Sequence, residues 1–149
     1  MITEDDPGTT FDLDRFLPYR LSVAAAQVSR RFEALYGELT GLTVAEWRVL
    51  AHLARSGAVS VRDIQAQVNL HKSVVSRAAS RLEGAGLVRK SGHGQDRRLV
   101  ALELTNQGQA LMDRLAVVAQ DFQARLMAEL GEDAPAFLSA LDRLRREPA

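Results

Sequence analysis

Apolar residues recur at steps of three and four from Phe16 to Leu39. Leu17, Leu21, Ala24/Ala25, Val28, Phe32, Leu35/Tyr36 and Leu39 draw one stripe along a long helix. Asp12 or Asp14 is placed to cap this helix, Pro18 is tolerable only near its first turn, and Gly41 ends it. Thr43-Val44-Ala45-Glu46 then forms a capping box, with Leu42 and Trp47 where the two members of a hydrophobic staple stand. That second helix runs through Leu50 and Leu53 to Gly57. Ser60-Val61-Arg62-Asp63 repeats the signature more weakly, with Val59 and Ile64 as staple, and opens a short third helix that Asn69 interrupts. A fourth helix is predicted over Lys72 to Ala85. Val75, Ala78/Ala79 and Leu82 face inward on it, and Lys72, Ser73, Ser76, Arg77, Ser80 and Arg81 face out, before a left-handed cap at Gly86.

The period then changes. Leu87 to Ser91 and Leu99 to Leu104, either side of Gly92-His93-Gly94, predict two strands of a hairpin. Thr105 caps a fifth helix with the stripe Leu111, Leu115, Val118, Phe122, Leu126, Leu130, closed by Gly131. A last helix follows Asp133-Ala134-Pro135, with Phe137/Leu138, Leu141 and Leu144 apolar. The order is α-α-α-α-β-β-α-α, a mainly α class with a small β-hairpin. Residues 1–10 make a loose, disordered leader. Residues 11–41 and 106–149 make a helical dimerisation bundle, and residues 42–105 make the lobe between them. A bundle with such exposed stripes is expected to bury the surplus against a second copy.

Composition narrows the functions available. The 149 residues are 46% hydrophobic and 26% charged, as in an ordinary globular domain. No apolar run approaches the roughly 18 residues of a membrane span. MITEDDPGTT lacks the basic-then-apolar pattern of a secretory signal, so the expected location is the cytoplasm. Without cysteine the chain has no disulfide, thiolate nucleophile or thiol switch. His52, His71 and His93 stand too far apart for a local metal motif, and no metal or cofactor is expected. No triad, phosphate loop or paired-carboxylate site appears, so no enzyme is expected.

Formal net charge is zero, but its distribution is not even. Between residues 60 and 100 eight basic residues face three acidic ones, a surplus of five that the rest of the chain balances. A basic centre between acidic arms carries a local field able to steer toward polyanions. Within it, Val68, Asn69, Leu70 and Val75 meet the needs of a helix-turn-helix: apolar contacts, a turn residue tolerant of left-handed geometry, and an apolar residue inside the second helix. Ser73, Ser76 and Arg77 on its outer face suit base edges, where arginine against guanine is the commonest specific contact. Lys72 and Arg81 are better placed for phosphates. A helix-turn-helix followed by a basic hairpin is a winged helix. Arg97 and Arg98 near the hairpin tip suit a narrow minor groove, and Asp96 can hold an arginine in place. A winged helix that serves protein interaction without an operator is the alternative, and the basic surplus argues against it.

These stretches resemble the MarR family of bacterial transcriptional regulators. The resemblance rests on Leu42-Thr43 with Glu46-Trp47-Arg48-Val49-Leu50, Ser73-Val74-Val75-Ser76-Arg77, Leu82-Glu83, and Gly86-Leu87-Val88. Asp96-Arg97-Arg98 leading to Leu102, Leu104-Thr105 and Gly108 completes it. It implies a two-fold homodimer built on the first, fifth and sixth helices, binding a pseudo-palindromic duplex DNA operator, usually as a repressor. The DNA-contacting set implied is Lys72, Ser73, Val74, Ser76, Arg77, Arg81, Arg97 and Arg98, with Arg98 the minor-groove arginine and Asp96 orienting it. His71 departs from the family pattern, standing where an N-capping Asp or Ser is usual. The family also implies release by a small effector, here a phenolic or benzoic acid. Phe16 and Arg20, one turn apart, can stack on a ring and pair with its carboxylate, with Trp47 as a pocket wall. Arg20 serves equally as a salt bridge to the partner subunit, Trp47 as a core residue, and His52 as a satisfied helix histidine.

Overall fold

The computed structural model describes residues 10–68, 70–92 and 100–146. In chain order these form a 3-10 turn (Leu13–Arg15), α1 (Leu17–Thr40), α2 (Val44–Ser56), β1 (Val59–Ser60), α3 (Val61–Val68) and α4 (Lys72–Gly84). There follow β2 (Val88–Gly92), β3 (Val100–Leu104), α5 (Asn106–Leu130), a second 3-10 turn (Gly131–Asp133) and α6 (Ala134–Arg145). The architecture is the expected mainly helical winged helix, with two corrections.

The first concerns the start of α1. No side chain caps it: Phe16 is the extended N-cap residue, and Pro18 in the first turn removes one of the orphan donors. Asp12 instead caps the short 3-10 turn, accepting the Asp14 N–H at 3.0 Å. The second concerns the sheet. Val59 and Ser60 form a third strand, antiparallel to β3 opposite Leu102 and Ala101, so the order is β1-β3-β2 rather than a lone hairpin. Two residues are too few to show a period of two. Ser60 also accepts the Asp63 N–H at 3.1 Å, so its helix-capping signature hides the strand.

Elsewhere the local signals act as expected. Thr43 and Glu46 exchange both capping-box bonds at 3.2 Å. The α4 helix closes through Gly86 at φ 76°, with Gly86 N–H donating to Glu83 O and Leu87 N–H to Leu82 O, which satisfies two terminal carbonyls.

The core has two adjoining parts. Val49, Leu50, Leu53, Ile64, Val75, Leu82 and Leu102 are buried where α2, α3, α4 and the sheet meet. Each is worth about 1.5–3 kcal/mol of burial, which fixes the α3–α4 angle from behind. Beside them an aromatic cluster joins α1, α2 and α5: Phe32 lies 4.9 Å from Tyr36, 5.0 Å from Trp47 and 5.2 Å from Phe122. On the outer side of that joint the Arg31 guanidinium forks onto the Glu129 carboxylate and lies 5.7 Å from the Phe122 ring centre. Beyond the joint the apolar stripe stays open. Leu13, Phe16 and Leu17 before and in α1, and Phe137, Leu138 and Leu144 on α6, are exposed.

Candidate nucleic-acid interface

The α4 helix has two distinct faces. Val75, Ala78, Ala79 and Leu82 are buried. Lys72, Ser73, Arg77, Ser80 and Arg81 are exposed, and Val74 and Ser76 are partly so. The inward set comes from apolar spacing, and the outward set is left to bind something else. His71 stands at the N-cap in an extended conformation, and its carbonyl accepts from Val74 and Val75 at 3.0 and 3.1 Å. Its imidazole makes no capping bond, so no carboxylate or hydroxyl from the cap competes for the first-turn amides of α4. Asn69, the predicted turn residue, lies outside the described residues.

The ion pairs redistribute the basic surplus. Arg81 is held by Glu46 at 3.2 Å, Arg89 by Glu103 at 2.6 Å across the β2–β3 register, and Lys90 approaches Glu83 at 3.9 Å. Glu46 and Glu103 fall outside the window in which the charges concentrate, so a sequence count misses them. Among the described residues Lys72 and Arg77 have no acidic partner. Arg77 donates through Nε to the Ser73 carbonyl at 3.3 Å, which steadies the side chain along the helix while leaving the charge unneutralised. The free positive charge of α4 therefore concentrates at its N-terminal half. Between α4 and the start of α2 lies a notch of about 280 Å³ lined by Thr43, Ala45, Val74, Arg77, Ala78 and Arg81. Arg77, without an acidic partner among the described residues, gives this open notch a cation suited to an anion the size of a phosphate, opposite an Arg81 that Glu46 already holds.

Residues 93–99, between β2 and β3, are outside the described residues, and with them Asp96, Arg97 and Arg98, the predicted minor-groove set.

The predicted effector residues do not meet within one chain. Phe16 is exposed and packs edge-to-face on Phe11 at 5.2 Å, and Arg20 is exposed one turn on. Trp47 instead packs on Phe32 and Tyr36. Phe32 lies 16 residues further along α1 than Phe16, about 24 Å at helical rise. Trp47 does line a groove of about 420 Å³ with Arg48, Ala51, His52, Arg55, Gln67 and Val68. Arg48 and Arg55 were not singled out by spacing, because an arginine on a solvent-facing helical position carries no signal of its own. His52 and Arg55 stand three residues apart on α2, which brings His52 Nδ1 to 3.0 Å from the guanidinium. Burial, then Arg55, hold the His52 pKa below its ordinary value, with Asp63 opposing. Among the described residues no cluster of three potential metal ligands occurs, and no helix is long and apolar enough to cross a membrane.

Comparison with known proteins agrees with this geometry. A family model described as the MarR family matches residues 40–99, which span α2 to the wing. The HTH-type transcriptional repressor MdtR of Bacillus subtilis (strain 168) is 30% identical over 96 residues, 64% of this chain and 62% of that protein, so the match spans less than two thirds of its length. Solved structures align over nearly the whole fold. A MarR/EmrR family transcriptional regulator from Acinetobacter sp. ADP1 superposes with a TM-score of 0.81 at 27% identity, covering 91% of this chain and 96% of that one. The transcriptional repressor CouR, bound to a 23-mer DNA duplex, superposes at 0.78 with 29% identity over 90% and 95%. With a cationic outer face on α4 and a small sheet beside it, the chain is similar to the MarR family of transcriptional regulators, by the family model over residues 40–99 and by fold over about nine-tenths of its length.

Proposed function

We propose that the protein is a homodimeric repressor that binds a pseudo-palindromic duplex and leaves it when a small organic acid, of the phenolic or benzoic class, binds. The observation that carries this is the α4 face: Lys72 and Arg77 exposed and without an acidic partner among the described residues, with Ser73, Val74 and Ser76 between them, over a buried underside. Arg77 addresses a guanine edge in the major groove, and Lys72 and Arg81 address phosphates. Arg98, oriented by Asp96, enters the minor groove with Arg97 beside it. CouR, a relative of the same fold, is seen on a DNA duplex, which supports the docking mode.

Residues 11–41 and 106–149 form the dimerisation part, supported by the open apolar stripe, and residues 42–105 form the reader. The effector is addressed by Trp47 on one side, and by Phe16 and Arg20 from the stripe that pairing would bury. No catalytic role is assigned, and the working location is the cytoplasm.

The test is a mobility shift on duplexes selected from a random pool, across salt concentrations, with Arg77→Ala and Arg98→Ala alongside. Arg77→Ala is expected to lose about 1–3 kcal/mol of discrimination at one position of each half-site. Arg98→Ala is expected to weaken all duplexes and flatten the salt dependence. Equal binding of the wild type to selected and scrambled duplexes would overturn the assignment.

A further inference from the structure

Beside the β2–β3 ladder, Thr105 joins the end of the recognition helix to the start of α5 through both its backbone and its side chain. The last turn of α4 closes at Gly86 and Leu87. The Gly86 carbonyl accepts the Thr105 hydroxyl proton at 2.6 Å, and the Leu87 carbonyl accepts the Thr105 N–H at 3.1 Å. The same Thr105 oxygen accepts the Gly108 N–H at 3.1 Å as the N-cap of α5. A single hydroxyl is thus donor to one helix end and acceptor from the other. The fit around it is tight: a Cβ at Gly108 would run into the Leu87 carbonyl oxygen, and one at Gly86 would come within 3.1 Å of Gln107 Oε1.

We infer that Thr105 is a positioning residue for DNA binding, a tether that makes α4 and the first turn of α5 move as one body. This rests on the dimeric reading above, in which α5 belongs to the dimerisation part. An N-cap alone needs only an acceptor, which Asp supplies as well as Thr. The bond to Gly86 needs a donor, which Asp at neutral pH lacks and Ser retains. Capping and tethering can therefore be separated by substitution. If α4 rides on α5, the tether fixes the separation of the two recognition helices in a dimer, and with it the half-site spacing accepted.

Because the chain has no cysteine, Ser80→Cys on the exposed face of α4 gives one spin label per protomer. Pulsed dipolar spectroscopy on the dimer should show a narrow label–label distance for the parent and for Thr105→Ser, and a broadened one for Thr105→Asp and Thr105→Ala. On duplexes with the selected spacing and with one base pair inserted, the parent and Thr105→Ser should prefer the selected spacing. Thr105→Asp should lose about fivefold of that preference while its thermal midpoint stays close to that of Thr105→Ser. A Thr105→Asp dimer with the parental distance distribution and spacing preference would overturn the tether. A parent that forms no dimer, or prefers no duplex, would overturn the proposed function instead. Native-state hydrogen exchange on the unsubstituted protein reads the same point should the variants not fold. The amides of Leu87, Thr105 and Gly108 should open in one step, and a Gly108 that opens independently of Leu87 would also overturn it.

Discussion

The Glu46 carboxylate serves two helices at once. Its Oε2 accepts the Thr43 N–H and completes the α2 cap, while Oε1 accepts from Arg81 Nη1, 35 residues later on α4. The capping half was legible in Thr43-Val44-Ala45-Glu46, because a cap is a local pattern at fixed spacing. The Arg81 half was not, because a side chain's distant partner is set by how α2 crosses α4, and spacing carries no record of that. Exposure alone therefore suggests a phosphate for Arg81, whereas the structure pairs it with Glu46 beside the notch it lines. Glu46→Gln separates the two roles, since an amide oxygen still accepts from Thr43 while the charge is gone. We expect a loss of about 1–2 kcal/mol in urea unfolding, the worth of a charge-assisted bond whose basic partner remains largely solvated. Far-ultraviolet dichroism should show helix content unchanged. A loss no larger than that of an exposed control such as Glu132→Gln would show that the bridge contributes nothing.

At the scale of elements, the long helices were legible from their stripes, while the start of α1 and the short β1 were not, because Asp12 caps a 3-10 turn ahead of α1 and β1 is only two residues. The strand β1 borrows its second residue, Ser60, from a helix cap, so it appears only once β3 lies beside it. The packing of α2 on α3 has a consequence for pH. His52 is buried on α2, with Arg55 on its own helix and Arg48 beside it in the groove, and with Asp63 facing from α3. Its neutral ring accepts from Arg55, so the folded state takes up a proton at lower pH than the unfolded chain does. The associated stability is whole above the unfolded value of about 6.5 and is lost as pH falls through the lower folded value. The melting temperature of the wild type should therefore fall between pH 7.5 and 5.5 more steeply than that of His52→Gln, whose amide oxygen still accepts from Arg55. Parallel curves for the two proteins would remove His52 from the account.

For the whole molecule, the apolar stripe and the cationic helix make linked demands. Leu13, Phe16 and Leu17 are each close to half exposed at one end of α1, and Phe137, Leu138 and Leu144 stay open on α6. Clustered side chains of this size are seldom left to water, and a two-fold partner covers each of them twice, once per protomer. Leu17→Glu would then place two carboxylates in the proposed interface and forfeit two buried leucines. That is about 3 kcal/mol or more per dimer, upwards of a hundredfold in the dissociation constant. The substitution lies far along the chain from α4 and leaves Lys72 and Arg77 untouched, so a single half-site should be bound as before. A duplex with two half-sites should be bound far more weakly, because the second recognition helix is no longer delivered with the first. The salt dependence should change with it: the slope of log K against log salt counts the phosphates neutralised, and a monomer neutralises half as many. Sedimentation would give the subunit equilibrium, and mobility shifts across salt would give the slope. A Leu17→Glu protein that remains a dimer with an undiminished slope would place the pairing surface elsewhere.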